Sequence, residues 1–383
     1  RDRSPSRGLG DVYKRQGHFG KWHMGGQRNV ADAPPITDYG FDASLTNFEG
    51  MGPKLLPLTL KPGQDPNKPG RIWGDAERLG KGVRWMQRSK ITEGFVDEAI
   101  PFMKKATKAK KPFYVNLWPD DVHSPFWPPV DKRGKGKREL YLQVLREMDR
   151  QFGKLFDFVR DDEALRKNTL VLICSDNGPE LGAGVAGPFR GYKTHLYEGG
   201  VRSSLIAWGP GLIPSNNNES MGKVNEKSVF SAVDLVPTLL DLADVPYPEG
   251  VKYDGESLPD ILLGKSDKSR KQPLLFRRPP DRDSFYGDND LPDLAIREGK
   301  WKLLCEYDGS DAELFDMEAD RGETKNLADK HPEVVIRLTK VCIAWHKSLP
   351  PDNGPQLASD ILAPKPITVS YTQLRAHETD SYL

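Results

Sequence analysis

The segment PFYVNLWPDDVHSP, residues 112–125, indicates the fold class, because an apolar run of strand length ends abruptly in a polar loop. A second segment of the same kind, TLVLICSDNGPE, covers residues 169–180. Continuous apolar runs of this length are typical of buried strands in a covered sheet. Between them, apolar side chains recur at helical spacing from Tyr141 to Val159 and predict an amphipathic helix. Strand, helix and strand in succession predict a parallel α/β unit.

The pattern changes beyond about Lys265. LAIREGKWKLL (294–304) and ELFDM (313–317) predict strands, and apolar positions from Val334 to Trp345 predict a closing helix, which together form a small α+β subdomain. Before this change, a helix is predicted near residues 234–243, with Asp234 as its cap and Pro237 in its first turn.

We therefore predict an α/β fold with a mostly parallel central sheet flanked by helices, followed by the small C-terminal subdomain. Both ends of the chain lack apolar periodicity and are predicted to be foreign to the fold. The predicted regions are a disordered leader at 1–16, the α/β domain at 17–265, a subdomain of antiparallel strands and a helix at 266–350, and a linker with a foreign tail at 351–383.

Composition excludes several classes of function. The chain has 383 residues and a formal net charge of +1, so no overall field attracts nucleic acid or an anionic membrane. No apolar run approaches the length that spans a bilayer. The three cysteines, Cys174, Cys305 and Cys342, are far apart and lack Cys-x-x-Cys spacing, which argues against a disulfide framework and a cysteine zinc site. We expect them to be buried small side chains.

Polar groups follow both predicted strands, at the position where open α/β sheets bind ligands. His123 follows the first strand, and Asp176 and Asn177 follow the second. Carboxylate and amide oxygens are ligands that Ca²⁺ or Mg²⁺ prefers, and Gly178 would let the backbone turn sharply around an ion. Two oxygens do not complete a site, so further ligands must come from elsewhere. The alternative is structural, since Asp-Asn-Gly is a common turn sequence.

Two further segments carry cations and a second histidine: GKWHMG, with Lys21 and His23, and GYKTHLYEGGVR, with Lys193. Lysines are point cations that suit a tetrahedral oxyanion, while His23 and His123 could transfer protons near neutral pH. The combination predicts a metal-assisted oxyanion site. In the alternative interpretation the lysines are solvated, the histidines are structural, and Trp22 makes its motif a packing corner.

At these residues the chain resembles the type I, formylglycine-dependent sulfatases of the alkaline phosphatase superfamily. GKWHMG resembles the family's Gly-Lys-Trp-His-Leu-Gly signature, and VNLWPDDVHSPFWPP resembles its His-x-Pro loop. SDNG and GYKTHLYEGGVR resemble its metal-binding and sulfate-binding segments, and later landmarks follow in the same order as far as Leu349.

The resemblance implies an alkaline phosphatase-like fold and a sulfuric ester hydrolase. Asp176 and Asn177 would be calcium ligands, with Mg²⁺ as the less favoured ion, and Lys193 and His123 would hold the sulfate and help protonate the leaving oxygen. Lys21 and His23 would surround the nucleophile, an aldehyde hydrate (formylglycine) made from Cys or Ser by a formylglycine-generating or anaerobic sulfatase-maturating enzyme. This nucleophile attacks sulfur, the alcohol leaves, and a base, for which His23 is the candidate, collapses the sulfated intermediate.

The chain departs from the family pattern at the nucleophile. The family's modification motif begins with Cys or Ser, but Arg3 holds that place in the similar sequence RSPSR, and no cysteine here is followed by the remainder of the motif. We therefore expect the nucleophile segment to be missing and the fragment itself to be inactive.

Three functions remain open from the sequence. The first is a sulfatase acting on a sulfated carbohydrate or aryl ester, in a periplasmic or secreted location that the resemblance implies. The second is a phosphonate or phosphodiester hydrolase of the same superfamily, because phosphate and sulfate esters share tetrahedral geometry. The third is a non-catalytic, sulfatase-like binding protein.

Overall fold

The computed structural model describes residues 15–25, 33–79, 82–213, 222, 224–278 and 290–349. These residues form two compact units, the first ending at Asp161 and the second beginning at Asp162. The predicted boundary near residue 265 therefore does not separate the compact units. The predicted tail lies outside the described residues, and so does the leader up to residue 14.

The first unit contains a mostly parallel six-stranded sheet. Its order is β4-β3-β2-β1-β6, and β5 pairs with β3. Only β4 runs antiparallel to its neighbour among these strands. The strands are β1 (Arg15–Gly20), β2 (Ala43–Thr46), β3 (Lys54–Thr59), β4 (Gly70–Arg71), β5 (Val83–Gln87) and β6 (Phe113–Trp118).

Two long helices accompany this sheet, α1 (Ile91–Lys108) and α2 (Lys137–Asp161). Helix α1 buries Ile91, Phe95 and Ala99 at successive intervals of four residues, which places them on one face. This apolar stripe packs against Phe19, Leu45 and Leu55 of the sheet and forms the core of the unit.

The second unit contains two small antiparallel sheets. One joins β7 (Val171–Cys174) to β8 (Leu205–Trp208), and the other has the order β12-β11-β10-β9. We refer to the four-stranded sheet as the C-terminal sheet. Its strands are β9 (Leu274–Arg277), β10 (Leu294–Glu298), β11 (Trp301–Cys305) and β12 (Glu313–Asp316). The α-helices of this unit are α3 (Glu163–Asn168), α4 (Glu198–Val201), α5 (Ala232–Leu242), α6 (Pro259–Leu262) and α7 (Pro332–Ser348).

The C-terminal sheet is buried on both faces. Side chains such as Ile296 and Leu303 pack with Leu338 of α7. The alternate side chains, among them Leu304, pack on the opposite face against Tyr197, directly before α4. Because side chains alternate between the faces of a strand, β10 and β11 are apolar almost without interruption.

The structure confirms much of the predicted pattern. Helix α2 covers the predicted amphipathic segment, and strands β6, β7, β10, β11 and β12 and helix α7 all form where the sequence predicts them. The mostly parallel sheet and the C-terminal α+β region are present as well.

Other predictions are wrong in detail. Strand β6 pairs with β1 and not with β7, which pairs antiparallel with β8, so the strand–helix–strand segment is not one parallel pair. Strand β1 begins at Arg15, inside the predicted leader, because its amide donates to the Pro112 carbonyl oxygen at 2.8 Å. Ile173 and Cys174 of β7 are exposed, so this strand is not the buried strand that its apolar run predicted, whereas Cys305 and Cys342 are buried as expected.

Helix α5 also differs from the prediction. It begins at Ala232 after Ser231, and Asp234 lies in its first turn, where its carboxylate accepts from the Ser231 N–H at 2.8 Å. Asp234 is therefore part of a capping box and is not the cap itself. Pro237 lies inside the helix, beyond the first turn.

Candidate active site

Three neighbouring parallel strands, β2, β1 and β6, end at one edge of the first unit's sheet. The backbone N–H of Lys21, directly after β1, donates to the Trp118 carbonyl oxygen at 2.8 Å. Gly20 has φ +127°, and a Cβ there would lie 2.1 Å from the same oxygen, so only glycine allows this approach. The residues after β1 are therefore anchored to the end of β6, and the loops that follow these strands begin side by side.

Lys21 and His23 both contact Phe48, in the loop after β2. The Lys21 Nζ lies 5.2 Å from the centre of the Phe48 ring, and the His23 ring centre lies 4.8 Å from it, edge to face. Trp22 between them is 4% exposed and turns into the unit. The packing corner foreseen as an alternative therefore exists. Lys21 and His23, on either side of the buried Trp22, remain more exposed than it.

Behind this motif lies His18, which is fully buried among aromatic rings. Burial lowers its pKa to about 4, so the ring is neutral near neutral pH. Its Nε2 lies 3.1 Å from the Lys21 carbonyl oxygen, and a neutral ring with the proton on Nε2 donates to it. His18 thus supports the backbone of Lys21 and is a structural histidine.

A buried lysine fixes the loop that carries Phe48. The Lys54 Nζ donates to Thr46 Oγ1 at 3.0 Å, to the Glu49 carbonyl oxygen at 2.6 Å, and to the Gly50 carbonyl oxygen. Burial lowers the pKa of Lys54 to about 8, and the charge of Glu49 opposes this shift. The ammonium group therefore bonds to three acceptors of this loop. These bonds fix the loop whose Phe48 contacts Lys21 and His23.

The loop after β6 carries His123 and is fixed by a buried ion pair. Asp120 accepts hydrogen bonds from Arg88 Nη1 at 2.6 Å and from Asn47 Nδ2 at 2.5 Å. Arg88 and Asp120 side chains are each 5% exposed. The Asp120 carbonyl oxygen accepts from Arg88 Nη2 and from the backbone N–H of His123, the latter at 3.0 Å. The exposed His123 is thus connected directly to a rigid buried network, and its Nδ1 lies 2.7 Å from the Ser124 carbonyl oxygen.

A second carboxyl group lies beside this ion pair. Asp121 is 3% exposed and accepts from Thr92 Oγ1 at 2.6 Å. Burial raises its pKa to about 6, although the charge of Arg88 opposes the shift. The Asp121 carboxyl therefore changes its charge at a higher pH than an exposed aspartate does.

In the second unit, Asp176 and Asn177 follow β7 as predicted. Asp176 is exposed, and Asn177 Nδ2 donates to the Gly178 carbonyl oxygen at 2.8 Å. No hydrogen bond to the Asp176 carboxylate comes from the part of the chain that the structure describes. Within that part, no cluster of three or more His, Cys, Asp or Glu side chains could hold a metal ion. The two residues therefore offer oxygen ligands without completing a metal site.

Two backbone hydrogen bonds connect the Asp176–Asn177 loop to the segment that carries Lys193 and Gly200. The Gly178 N–H donates to the Gly200 carbonyl oxygen at 2.7 Å, and the Lys193 N–H donates to the Pro179 carbonyl oxygen at 2.9 Å. A Cβ at Gly178 would lie 1.8 Å from the Gly199 carbonyl oxygen. The structure thus gives a reason for glycine at position 178 that the sequence did not predict, the close approach of the Gly199 backbone.

The six predicted side chains therefore form two groups. Lys21, His23 and His123 lie on loops at one edge of the first unit's sheet, and Asp176, Asn177 and Lys193 lie on two joined loops of the second unit. The supporting residues Asn47, Arg88 and Asp120 were not predicted. Each follows a strand by one or two residues, but of these three strands only β6, before Asp120, was predicted from the sequence.

Sequence comparison gives matches over most of the chain. The family described as Sulfatase matches residues 3–245, which includes most of the predicted leader, and N-sulphoglucosamine sulphohydrolase, C-terminal, matches residues 190–343. Mouse arylsulfatase G is 29% identical over 310 residues, which cover 73% of this chain and 57% of that protein. N-acetylgalactosamine-6-sulfatase of the dog is 29% identical over 270 residues, 68% of this chain and 48% of that protein. The chain thus spans about half the length of these relatives.

Solved structures share the fold. The PsFucS1 sulfatase from Pseudoalteromonas sp. superimposes with a TM-score of 0.63 at 21% identity, over 88% of this chain and 71% of that one. BT4656, solved with its substrate D-glucosamine-2-N,6-O-disulfate, superimposes with a TM-score of 0.50 at 18% identity, over 88% and 80% of the two chains. These similarities confirm the predicted fold class.

Proposed function

Because this chain belongs to the sulfatase family, we propose that the whole protein hydrolyses sulfate esters and that this chain supplies the side chains that handle the sulfate group. The observation that carries the proposal is the joining of Lys193 to the Asp176–Asn177 loop through Pro179 and Gly178. A cation and two oxygen ligands on one rigid support suit an oxyanion held beside a metal ion.

In this proposal the lysines balance the negative charge of the sulfate. Lys193 and Lys21 are compact cations on flexible stems, which do not require planar recognition. His123 protonates the leaving oxygen, and its Nδ1 contact with the Ser124 carbonyl oxygen orients the ring for this transfer. His23, held against Phe48, would serve as a base that takes up a proton beside the nucleophile.

Calcium fits part of this arrangement. Asp176 presents an exposed carboxylate. The Asn177 side-chain nitrogen donates to the Gly178 carbonyl oxygen, so the side-chain oxygen of Asn177 is the atom suited to a hard cation. Bound there, Ca²⁺ would stabilise negative charge on the sulfate oxygens. Further oxygen ligands would have to join these two, since Ca²⁺ takes about six to eight oxygens.

The nucleophile is proposed to be a formylglycine made from Cys or Ser by a maturation enzyme. Lys21 and His23 would flank it and control proton movement around it. The names of the relatives, which include an N-acetylgalactosamine-6-sulfatase, favour a sulfated carbohydrate as substrate, with an aryl sulfate as the simpler alternative. We propose that the protein acts in the periplasm or outside the cell. No helix in the described ranges has both the length and the apolar content needed to cross a membrane.

The test is release of inorganic sulfate by the whole protein from p-nitrophenyl sulfate and from sulfated saccharides. Lys193→Ala is expected to reduce kcat/KM by about a hundredfold or more, because a charge-stabilising group is lost. Lys167→Ala is the matched control, since that lysine is exposed and pairs with Glu163 at the surface of α3. Equal turnover in both variants would remove Lys193 from the site.

Phosphate esters and phosphonates should be assayed in parallel. A sulfatase is expected to prefer sulfate esters, whereas preference for a phosphodiester would assign the protein to the other hydrolase class of the superfamily. Binding of a sulfated saccharide without release of sulfate would identify a non-catalytic binding protein.

A further inference from the structure

Five charged side chains form a largely buried cluster in the second unit, which we call the Glu198 cluster. The Lys302 Nζ lies 3.0 Å from Glu198 Oε1 and 2.8 Å from Glu323 Oε1. The other carboxylate oxygen of Glu198 lies 3.1 Å from Arg202 Nη1 and 3.5 Å from Arg297 Nη1. The Lys302 side chain is 1% exposed, Glu198 is 6% exposed, and Glu323 is fully buried.

The pKa values of the two carboxyl groups in the cluster depend on the neighbouring cations. Burial alone would raise the pKa of Glu198, but the charges of Lys302 and Arg297 hold it below its ordinary value. Burial raises the pKa of Glu323, although Lys302 opposes the shift. Lys302 is the only cation of the cluster within 4 Å of both carboxylates, so its removal would leave two buried acids facing each other with less compensation.

Glu198 is followed directly by Gly199 and Gly200, whose backbone hydrogen bonds hold the Lys193 loop and the Asp176–Asn177 loop. The Glu198 backbone N–H donates to Glu323 Oε2 at 2.7 Å. Directly after it, the Gly199 N–H donates to the Arg190 carbonyl oxygen at 2.7 Å, which holds the start of the loop that carries Lys193. The Gly200 carbonyl oxygen accepts from Gly178, which holds the Asp176–Asn177 loop.

The backbone of Gly199 and Gly200 lies very close to neighbouring main-chain atoms. A Cβ at Gly199 would lie 2.2 Å from the Gly191 carbonyl oxygen, and a Cβ at Gly200 would lie 2.1 Å from the His195 carbonyl oxygen. Main-chain atoms are therefore packed directly against one another, and a displacement of α4 would move both loops together. The position of α4 is fixed by Tyr197, which packs on the C-terminal sheet, and by the Glu198 cluster.

We propose that Lys302, on strand β11 of the C-terminal sheet, is a positioning residue that sets the place of Lys193 and of the Asp176–Asn177 loop through Glu198. This inference rests on the proposed function, in which the two loops bind the sulfate group and its metal ion. It assigns the C-terminal sheet a role in the geometry of sulfate recognition, although none of the residues proposed to handle sulfate lies on that sheet.

The test compares Lys302→Met, Lys302→Arg and Lys300→Met in the whole protein. Lys300, two residues before Lys302, is the control because it is half exposed and its ammonium group contacts Asp316 and the Trp301 ring, outside the Glu198 cluster. Hydrogen exchange is measured by mass spectrometry on peptides covering 176–182 and 190–201, with peptides from α5 and α7 as internal reference. In Lys302→Met, exchange in the two loop peptides should accelerate at least tenfold relative to the reference, and Lys302→Arg should recover much of the protection.

Sulfate ester hydrolysis provides the second measurement. Misplacement of Lys193 should lower kcat/KM by about ten- to a hundredfold in Lys302→Met, while Lys300→Met stays within twofold of wild type. If Lys302→Met does not fold, the double variant with Glu323→Gln, which removes one buried charge and keeps an acceptor for the Glu198 N–H, takes its place.

Unchanged exchange in both loop peptides, or equal acceleration in the loop and reference peptides, would overturn the inference. If the wild-type protein releases no sulfate, the proposed function fails, but the exchange measurement still decides whether Lys302 positions the two loops.

Discussion

The backbone N–H of Gly178 donates to the carbonyl oxygen of Gly200 at 2.7 Å, and this bond joins the loop after β7 to helix α4. It brings the Asp176–Asn177 loop and the Lys193 loop onto one support. The contact is close enough that a side chain at Gly178 would collide with the Gly199 carbonyl oxygen.

Gly178→Ala is therefore expected to lower the free energy of unfolding by about 2 kcal/mol or more, because main-chain atoms must move to admit the methyl group. Urea unfolding followed by circular dichroism measures the change. Gly153→Ala serves as control, since Gly153 lies in α2 with open space around its Cβ position, and it should stabilise the protein by up to about 1 kcal/mol. A Gly178→Ala protein as stable as wild type would refute the close approach.

Removal of Arg88 should destabilise the first unit strongly. Arg88→Met leaves the buried carboxylate of Asp120 without its cation, which is expected to cost about 3–5 kcal/mol. Arg84→Met is the matched control, because its ion pair with Glu98 is exposed and should contribute about 0–1 kcal/mol. Adding Asp120→Asn to Arg88→Met should restore part of the loss. Similar unfolding midpoints for Arg88→Met and Arg84→Met would contradict the importance of the buried pair.

Asp121 should make stability depend on pH in the acidic range. Its pKa is raised to about 6 in the folded chain from an ordinary value near 3.8, so the folded state binds the proton more tightly than the unfolded state. The stabilisation from protonated Asp121 is complete below the ordinary pKa and is lost as pH rises through about 6. Asp121→Asn should lack this component. The measurement is the difference in unfolding free energy between the two proteins from pH 4 to pH 7, and a constant difference would refute the shift.

The three thiols should differ in their access to reagents. Cys174 is exposed, whereas Cys305 and Cys342 are fully buried. Ellman's reagent is expected to titrate one thiol per native chain and all three in concentrated urea. Cys174→Ser should reduce the native count to zero. Rapid titration of three thiols in the native protein would place the two cysteines of the C-terminal region at the surface.

Local patterns predicted the elements better than their partners. The apolar spacing of α2 and the apolar runs of β6 and β7 indicate helix and strand directly, because the spacing of apolar residues can be seen within one short segment. The choice of β1 as the neighbour of β6 depends on contacts between distant segments, and the apolar runs of two strands do not specify which of them pair. The helix between β6 and β7 suggested a parallel pair that does not form.

The candidate site shows a similar division. Lys21, His23, His123 and Lys193 belong to compact motifs, so their segments could be recognised from residue types alone. Asn47, Arg88 and Asp120 act through a buried network assembled from three separate strand ends, and no spacing in the sequence connects them. The reason for glycine at position 178 was equally hidden, since it depends on the nearby backbone of Gly199.

The pairing of β1 with β6 has a consequence for the order in which the chain folds. Arg15 lies opposite Phe113, so one side of β1 stays without its partner until about a hundred further residues have left the ribosome. Its other neighbour, β2, follows much sooner. The strand that leads into Lys21 and His23 is therefore completed late during synthesis, and until then its open edge offers unpaired backbone groups to other chains.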